Sequence, residues 1–145
     1  LEREYLVRIH GPVTEEMIAR LKAGVELDDG IASFTKIVAG GGSGSNQWFT
    51  VTLSGGRNRE VRRLWESQGV EVSRLKRIRF GPATLPSYVR LGQWIDLAPA
   101  DIKKLYQAVG LRGKVLALTP AELSQRDRQE RKLRARGGGT RAPKR

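Results

Sequence analysis

The segment between Gly56 and Gly81, GRNREVRRLWESQGVEVSRLKRIRFG, holds the side chains most able to bind or stabilise a charged group. It contains eight Arg or Lys residues against three Glu residues, a net charge of +5, and apolar residues run between them. Cations on a partly apolar segment are suited to two tasks, binding phosphate oxygens and pairing with a buried carboxylate. The local structure decides which task each cation performs.

Residues 59 to about 68 fit a helix that Asn58 caps and Gly69 ends. With about 100° between successive residues, Arg59 and Arg63 face water or a phosphate, and Arg62 lies on the shoulder between core and solvent. A shoulder arginine can direct its guanidinium into a neighbouring cleft and pair there with a buried carboxylate. A solvated, charged helix face is the alternative, and helix geometry alone leaves both interpretations of Arg62 open. The opposite stripe of the helix is apolar and consists of Val61, Leu64 and Trp65.

A second basic segment lies at residues 124–145, with nine Lys or Arg against two Asp or Glu and a net charge of +7. The two segments account for the whole net charge of +12, so the rest of the chain is neutral. Concentrated positive charge on a neutral body indicates a polyanionic partner, whose binding releases counterions. An acidic membrane surface is the competing partner, but no segment pairs a cationic face with a wide apolar one.

The chain has no cysteine and a single histidine, His10. These counts exclude disulfides, thiolate metal sites and an ordinary zinc site, and they favour the cytoplasm. No apolar run approaches the roughly 20 residues that span a bilayer, so we expect no association with a membrane. Because the chain starts at Leu1, directly in a strand-like run, we expect its natural N-terminus further upstream.

The apolar pattern predicts an α+β fold with a mostly antiparallel sheet, flanking helices and a basic, largely disordered C-terminal tail. In the first strand, Tyr5 shares a face with Val7 and Ile9. The predicted order is a strand (3–10), a helix capped by Thr14 (to about 22), a short strand and turn (24–30), a hairpin (31–39 and 46–54), the helix after Asn58, an irregular strand (72–80), a short strand (94–97), a helix opened by Pro99 (99–109) and partial helix from Pro120.

Two short runs invite a functional interpretation that we reject. GGGSGS, residues 40–45, would cradle a phosphate if a helix followed it, but a β-rich run follows, so we interpret it as a flexible hairpin tip. Asp28 and Asp29 form a DDG run, which is turn chemistry rather than a nucleophile.

In order and spacing, several runs resemble the C-terminal catalytic region of the bacterial pseudouridine synthases that modify ribosomal RNA, the RsuA/RluB/RluE/RluF group. The resemblance covers residues 1 to about 110. It is nearest to the large-subunit branch of the group, as indicated by the NQW run, the sequence GRNREVRRLWE and the basic tail. It divides the chain into residues 1–110, part of the catalytic domain, and 111–145, a basic extension. The matching runs are EREYLVRIHG, GVELDDG, NQWFTVTLSGGRNREVRRL, VSRLKRIRFG and GQWIDL.

The resemblance assigns roles by position. Tyr5 matches the tyrosine that stacks on the target base, Arg62 matches the arginine that pairs with the catalytic aspartate, and Leu75 matches an apolar residue of the uracil pocket. Without the resemblance, Tyr5 fits an ordinary core tyrosine better. We expect about half of the remaining cations to touch RNA phosphate and the others to be held in salt bridges; they are Arg57, Arg59, Arg63, Arg74, Lys76, Arg77 and Arg79.

The resemblance implies isomerisation of a specific uridine in large-subunit (23S) ribosomal RNA to pseudouridine, by a monomer that needs neither a cofactor nor a metal. The family's Gly-Arg-Leu-Asp motif and its preceding S4-type RNA-binding domain are not found in this sequence. We therefore expect the catalytic aspartate upstream and this chain alone to be inactive. A non-catalytic RNA-binding or ribosome-associated module is the alternative function, and a basic structural protein of the ribosome is a weaker third hypothesis.

Overall fold

The structure, a computed structural model, describes residues 1–113 and 117–137. Two compact units divide the chain, Leu1–Gly81 and Pro82–Arg145. The first unit has the elements β1 (Arg3–His10), α1 (Glu15–Ala23), β2 (Val25–Leu27), β3 (Gly30–Ala32), β4 (Lys36–Ser43), β5 (Asn46–Leu53), α2 (Glu60–Glu66) and β6 (Glu71–Phe80). The second has β7 (Ala83–Thr84), α3 (Pro99–Ala108) and α4 (Pro120–Gly137).

The first unit is built on an antiparallel sheet in which β4, β5, β1 and β6 follow one another. β1 is central, because it pairs with β5 on one side and with β6 on the other. The register with β6 shifts between Glu4 and Tyr5 and again between Arg8 and Ile9, which agrees with the irregular strand expected at 72–80. β2 and β3 form a separate two-stranded hairpin around the DDG turn.

One face of the sheet and the two helices of the first unit enclose a single core. Val7 and Ile9 of β1 are fully buried, as their alternation predicts, and Tyr5 packs partly buried against the same cluster. Helix α1 adds Met17 and Leu21, and α2 adds the predicted stripe Val61, Leu64 and Trp65. The mostly antiparallel α+β fold expected from the sequence is confirmed.

Thr14 caps α1 as predicted, and its hydroxyl accepts a hydrogen bond of 3.3 Å from the Met17 amide. The predicted cap of α2 is wrong. The N-cap position is Arg59, whose φ of 51° is left-handed, and Asn58 supplies no side-chain cap. Because the Glu60 carboxylate accepts from the Arg57 amide at 3.0 Å, the turn before α2 is closed without the Asn58 side chain.

The glycine-rich run also differs from its prediction as a flexible tip. Strand β4 continues through Ser43, and the register with β5 shifts between Ala39 and Gly41, which is a bulge. A Cβ atom at Gly42 would overlap the Asn46 carbonyl oxygen, so glycine lets the two strands approach each other. Residues 31–39 likewise do not form one arm, because β3 ends at Ala32 and pairs with β2.

In the second unit, α3 begins at Pro99 as predicted, but residues 94–97 are not a strand. Helix α4 confirms the expected helix from Pro120, and Thr119 and Glu122 close its first turn with reciprocal hydrogen bonds. Its inner face contacts the loop before α3, since Arg126 donates to the Asp96 carbonyl at 3.2 Å and Gln129 to the Trp94 carbonyl at 2.7 Å. The predicted disordered tail falls largely on residues 138–145, outside the described ranges.

Trp65 generates a stability prediction, because it is fully buried between Phe34 and Phe49 while its indole N–H has no hydrogen-bond partner within the described structure. Trp65→Ala should destabilise the fold by about 3–5 kcal/mol. Trp65→Phe should cost clearly less, because it also removes a buried unpaired donor. Urea unfolding monitored by circular dichroism measures both, with the half-buried Trp48→Phe as control; equal losses for the two Trp65 variants would contradict this account.

Candidate functional site

A cavity of about 210 Å³ opens where β1, β6 and the turn before α2 meet. This volume is below the about 300–1,000 Å³ of sites for drug-sized ligands, so it suits a small group such as a single ring. The wall residues come from three stretches of the chain, which the sheet and α2 bring together. They are Tyr5, Leu53, Gly55, Gly56, Arg57, Arg59, Glu60, Val61, Leu75 and Arg77.

The apolar part of the cavity follows from strand register. Leu75 stands opposite Val7, and Arg77 stands opposite Tyr5, in the pairing of β1 with β6. Tyr5 and Leu75 are both half-buried and pack against the core cluster. One side of each side chain therefore lines the cavity, while the packing against the core holds the side chain in place. The structure therefore brings together Tyr5 and Leu75, the two apolar site residues expected from the sequence.

Glu60 is a buried acidic residue of the cavity wall and was not predicted as a site residue. Its side chain is 7% exposed, its Oε2 accepts from the Arg57 amide, and its own amide donates to the Arg57 carbonyl at 3.3 Å. A Cβ atom at Gly55 would overlap the Glu60 carboxylate, so a larger residue at this position would have to displace that side chain. No clear signal in the sequence indicated this role, because a reciprocally bonded turn is usually recognised by a Ser or Thr three residues before the Glu, and Arg57 stands there.

The left-handed backbone conformation of Arg59 places this residue in the cavity wall. A non-glycine residue at φ 51° is uncommon and costs energy unless its surroundings impose it. Here the conformation starts α2 and leaves an exposed Arg59 side chain at the cavity. Backbone strain at a cavity is typical of functional sites, and sequence periodicity could not have predicted it.

Arg77 lies over the ring of Tyr5. Its Cζ atom is 5.4 Å from the ring centroid, and Nη2 and Nε donate to the phenol oxygen at 3.1 and 3.3 Å. The same guanidinium is 5.9 Å from the centroid of the Phe80 ring. Arg77 and Tyr5 both line the cavity, and the two hydrogen bonds place the guanidinium at the hydroxyl end of the ring.

Arg62 is half-buried, as expected for a shoulder position, but it is not among the residues that line the cavity. Its Nη1 donates to the Val72 carbonyl at 3.0 Å. Within the described residues no carboxylate lies within ion-pair distance of Arg62. The half-buried arginines Arg63 and Arg79 differ, because each has a carboxylate partner. The role of Arg62 as partner of a catalytic aspartate stays a prediction.

The remaining cations of the segment fall into two groups. Arg63 forms a bidentate pair with Asp29 at 2.8 and 3.0 Å, and Arg79 contacts Glu4 at 3.1 Å and Glu2 at 3.5 Å. Arg57 donates to the Ile31 carbonyl at 3.0 Å. In the part of the chain that the structure describes, no bond or ion pair occupies the exposed side chains of Arg59, Arg74 and Lys76. RNA contact by any of these residues stays a prediction.

Comparisons with known proteins show similarity along the chain. It is 46% identical over 155 residues to ribosomal large subunit pseudouridine synthase B of Pseudomonas aeruginosa, an alignment that covers 100% of this chain and 40% of that protein. The protein of the same name from Pasteurella multocida is 53% identical over 115 residues, which cover 79% of this chain and 33% of the relative. The chain thus spans less than half the length of these relatives. No family model matches it.

Among solved structures, a crystal structure of a pseudouridylate synthase is similar with a TM-score of 0.60 and 26% identity, over 72% of this chain and 44% of the solved one. This similarity agrees with the antiparallel α+β fold described above. The resemblance to the pseudouridine synthases, and to their large-subunit branch, is confirmed by these relatives.

The Arg63–Asp29 pair gives a titration prediction. The hydrogen bonds from Arg63 lower the pKa of Asp29 below its ordinary value and raise the pKa of Arg63. Because the Asp29 pKa is depressed on folding, the pair stabilises the fold above the unfolded-state pKa and loses this effect as the pH falls through the folded-state pKa. Arg63→Gln should move the Asp29 pKa back up, which a carboxyl NMR titration measures. Arg57→Gln is the control, because Arg57 is 4.0 Å from the carboxylate; an equal shift in both variants would contradict the assignment.

Proposed function

We propose that this chain carries the base-binding part of a pseudouridine synthase that isomerises a specific uridine of large-subunit ribosomal RNA. The observation that carries the proposal is the small cavity at Tyr5, apolar at Leu75 and Leu53 and rimmed by Arg57, Arg59 and Arg77. A single base fits such a cavity, and the cations at its rim suit the phosphates that flank an extruded nucleotide.

The isomerisation requires that the uracil stays held in the cavity after its bond to the ribose breaks. The glycosidic bond between N1 and the ribose breaks, the uracil turns, and its C5 bonds to the same ribose carbon; C5 then loses a proton and N1 gains one. A stacking ring and an apolar wall would hold the uracil during the turn, which are the roles proposed for Tyr5 and Leu75. No cofactor or metal takes part in this proposal.

Arg62 is proposed as the partner of the nucleophilic aspartate. A half-buried guanidinium whose acceptor, among the described residues, is a backbone carbonyl is incompletely neutralised, so a further carboxylate would be favourable there. A desolvated aspartate in turn needs such a cation to stay ionised. No aspartate lines the cavity, so the nucleophile is proposed to come from outside the described residues. The extent of the relatives, more than twice as long as their match to this chain, supports this.

The catalytic part is proposed to be residues 1–110, followed by a basic extension, in a monomer that acts in the cytoplasm. None of the described helices combines the length and apolar composition that crossing a bilayer requires. The alternative of a non-catalytic RNA-binding module keeps the basic surface but gives no role to the cavity at Tyr5. The relatives, which are named as synthases, favour the enzyme.

The test is to map pseudouridines in ribosomal RNA from a strain that lacks the gene. One large-subunit pseudouridine should disappear and should return with the wild-type full-length gene. Arg62→Ala should leave it absent while RNA affinity falls less than about threefold, because the residue is proposed to hold an aspartate rather than a phosphate. Lys36→Ala, which removes an exposed cation of β4 to which no contact with RNA is assigned, is the control and should restore the modification. An unchanged pseudouridine map would refute the enzyme, and equal losses of affinity and activity would make Arg62 a phosphate ligand.

Helix α4 is proposed to bind the RNA backbone through its outer face. Arg126 and Gln129 donate to the second unit's own loop and Leu133 is buried, whereas Arg128, Arg131 and Lys132 are exposed. Changing these three cations to Gln should reduce the log–log salt slope of RNA binding by about two to three units, since each phosphate contact contributes about 0.7 to 0.9 units. The control removes three exposed lysines elsewhere, Lys22, Lys103 and Lys104, and should leave the slope unchanged. Equal slopes in both variants would show that α4 does not touch the RNA.

A further inference from the structure

The second unit contains a groove of about 370 Å³ that the cavity at Tyr5 does not include. One side of the groove is the loop of residues 92–94, and the other side is a face of α4. The α4 residues recur at intervals of three and four, so they share one stripe of the helix. They are Gln129, Lys132, Leu133 and Arg136. The volume lies within the about 300–1,000 Å³ that sites for small organic groups occupy.

Trp94 is the unusual residue of this groove, because it is 67% exposed. Its backbone is nevertheless held, since Gln129 donates to the Trp94 carbonyl at 2.7 Å. The turn before it is closed by two hydrogen bonds between Arg90 and Gln93, and Gly92 within that turn has a left-handed φ of 79°. An exposed indole on a fixed backbone loses little conformational entropy when a flat partner stacks on it.

The charged side chains of the groove are two cations, Lys132 and Arg136, and both are exposed. Within the part of the chain that the structure describes, neither forms an ion pair and no acidic side chain lines the groove. The carboxylate of Glu130, the next residue after Gln129, is instead engaged by Arg126 and Arg134. An exposed aromatic ring beside positive charge is the combination that binds the bases and phosphates of a single-stranded nucleic acid.

We propose that this groove binds single-stranded RNA, with one base stacked on Trp94 and the neighbouring phosphates at Lys132 and Arg136. This inference rests on the proposed function, because it takes RNA as the partner of α4. The two cations are about 6 Å apart along the helix axis, so they suit successive phosphates of a strand better than a single phosphate. Lys132 also belongs to the outer face of α4 that is proposed to bind the RNA backbone, so one strand can pass from that face into the groove.

The test measures binding of the full-length protein to two dye-labelled oligomers of equal length by anisotropy titration. One is an oligocytidylate, and the other carries abasic tetrahydrofuran units in place of the nucleosides. Neither contains uridine, so neither is converted during the measurement. The base preference is the affinity for the first oligomer divided by the affinity for the second.

Trp94→Leu should lower the base preference by about fivefold or more, which is the effect of losing one stacked base, and should leave the affinity for the abasic oligomer within about twofold. Trp94→Phe keeps an aromatic ring and should retain most of the preference. Changing Lys132 and Arg136 together to Gln should weaken binding of both oligomers equally. The matched control is Leu91→Ala, which removes a fully exposed apolar side chain that does not line the groove and should change neither affinity.

Tyr5→Ala keeps this inference distinct from the proposed function, and it should leave the base preference unchanged. If Tyr5→Ala removes the preference and Trp94→Leu does not, the base binds at the cavity of the first unit, and the inference is overturned while the proposed function stands. Cytidine monophosphate should displace the oligocytidylate only weakly, because it offers one phosphate. Displacement by an equimolar amount would make the groove a site for a free nucleotide and would also overturn the inference.

A segment of the protein itself is the competing occupant of the groove, and tryptophan fluorescence tests for it. Acrylamide should quench the wild-type full-length protein more strongly than Trp94→Phe, because the variant lacks the exposed indole. Equal quenching, together with an unchanged base preference in Trp94→Leu, would show that another part of the protein covers the groove, and the inference would be wrong. The map of pseudouridines decides the proposed function independently of all these results.

Discussion

The central position of β1 is the constraint on which the site depends. Pairing on both sides fixes Tyr5 opposite Val51 of β5 and opposite Arg77 of β6. A slip of one residue would turn Tyr5 to the other face and place Leu6 or Glu4 at the cavity. Burial of Val7 and Ile9 on the same face opposes that slip, so the core that stabilises the sheet also orients the ring.

The cations of the first unit fall into two groups, according to whether a carboxylate lies near them. Arg63 and Arg79 are held by Asp29 and by Glu2 and Glu4, which makes them part of the scaffold. Arg77 interacts with rings, and Arg62 rests on a backbone carbonyl. The net charge of the segment between Gly56 and Gly81 therefore overstates the number of cations available to a polyanion. The acidic partners of Arg63 and Arg79 lie outside this segment, in a turn and at a strand end.

Sequence reasoning succeeded where a local rule and the tertiary environment agree. The alternation of β1, the Thr14 cap of α1 and the stripe of α2 follow from strand and helix periods and from capping chemistry. It failed where a partner elsewhere decides the local conformation. The glycines after Ala39 become strand because β5 pairs with them, and Asn58 loses its capping role because Glu60 closes the turn. Only part of the cavity could be predicted from the sequence, for the same reason. Glu60 and Arg59 reach the cavity through a turn, and neither the helix nor the strand period describes the geometry of a turn.

The bulge in β4 has a consequence for the behaviour of the protein among other chains. β4 ends the order of strands in the sheet of the first unit, so one side of its backbone lacks a neighbouring strand there. Such an edge can recruit a strand from another molecule and begin aggregation. The register shift at Gly40 interrupts the regular ladder, and the glycines beyond it offer no side chains for an invading strand to pack against. The run interpreted from the sequence as a flexible hairpin tip would thus help to protect this edge of the sheet from pairing with another chain.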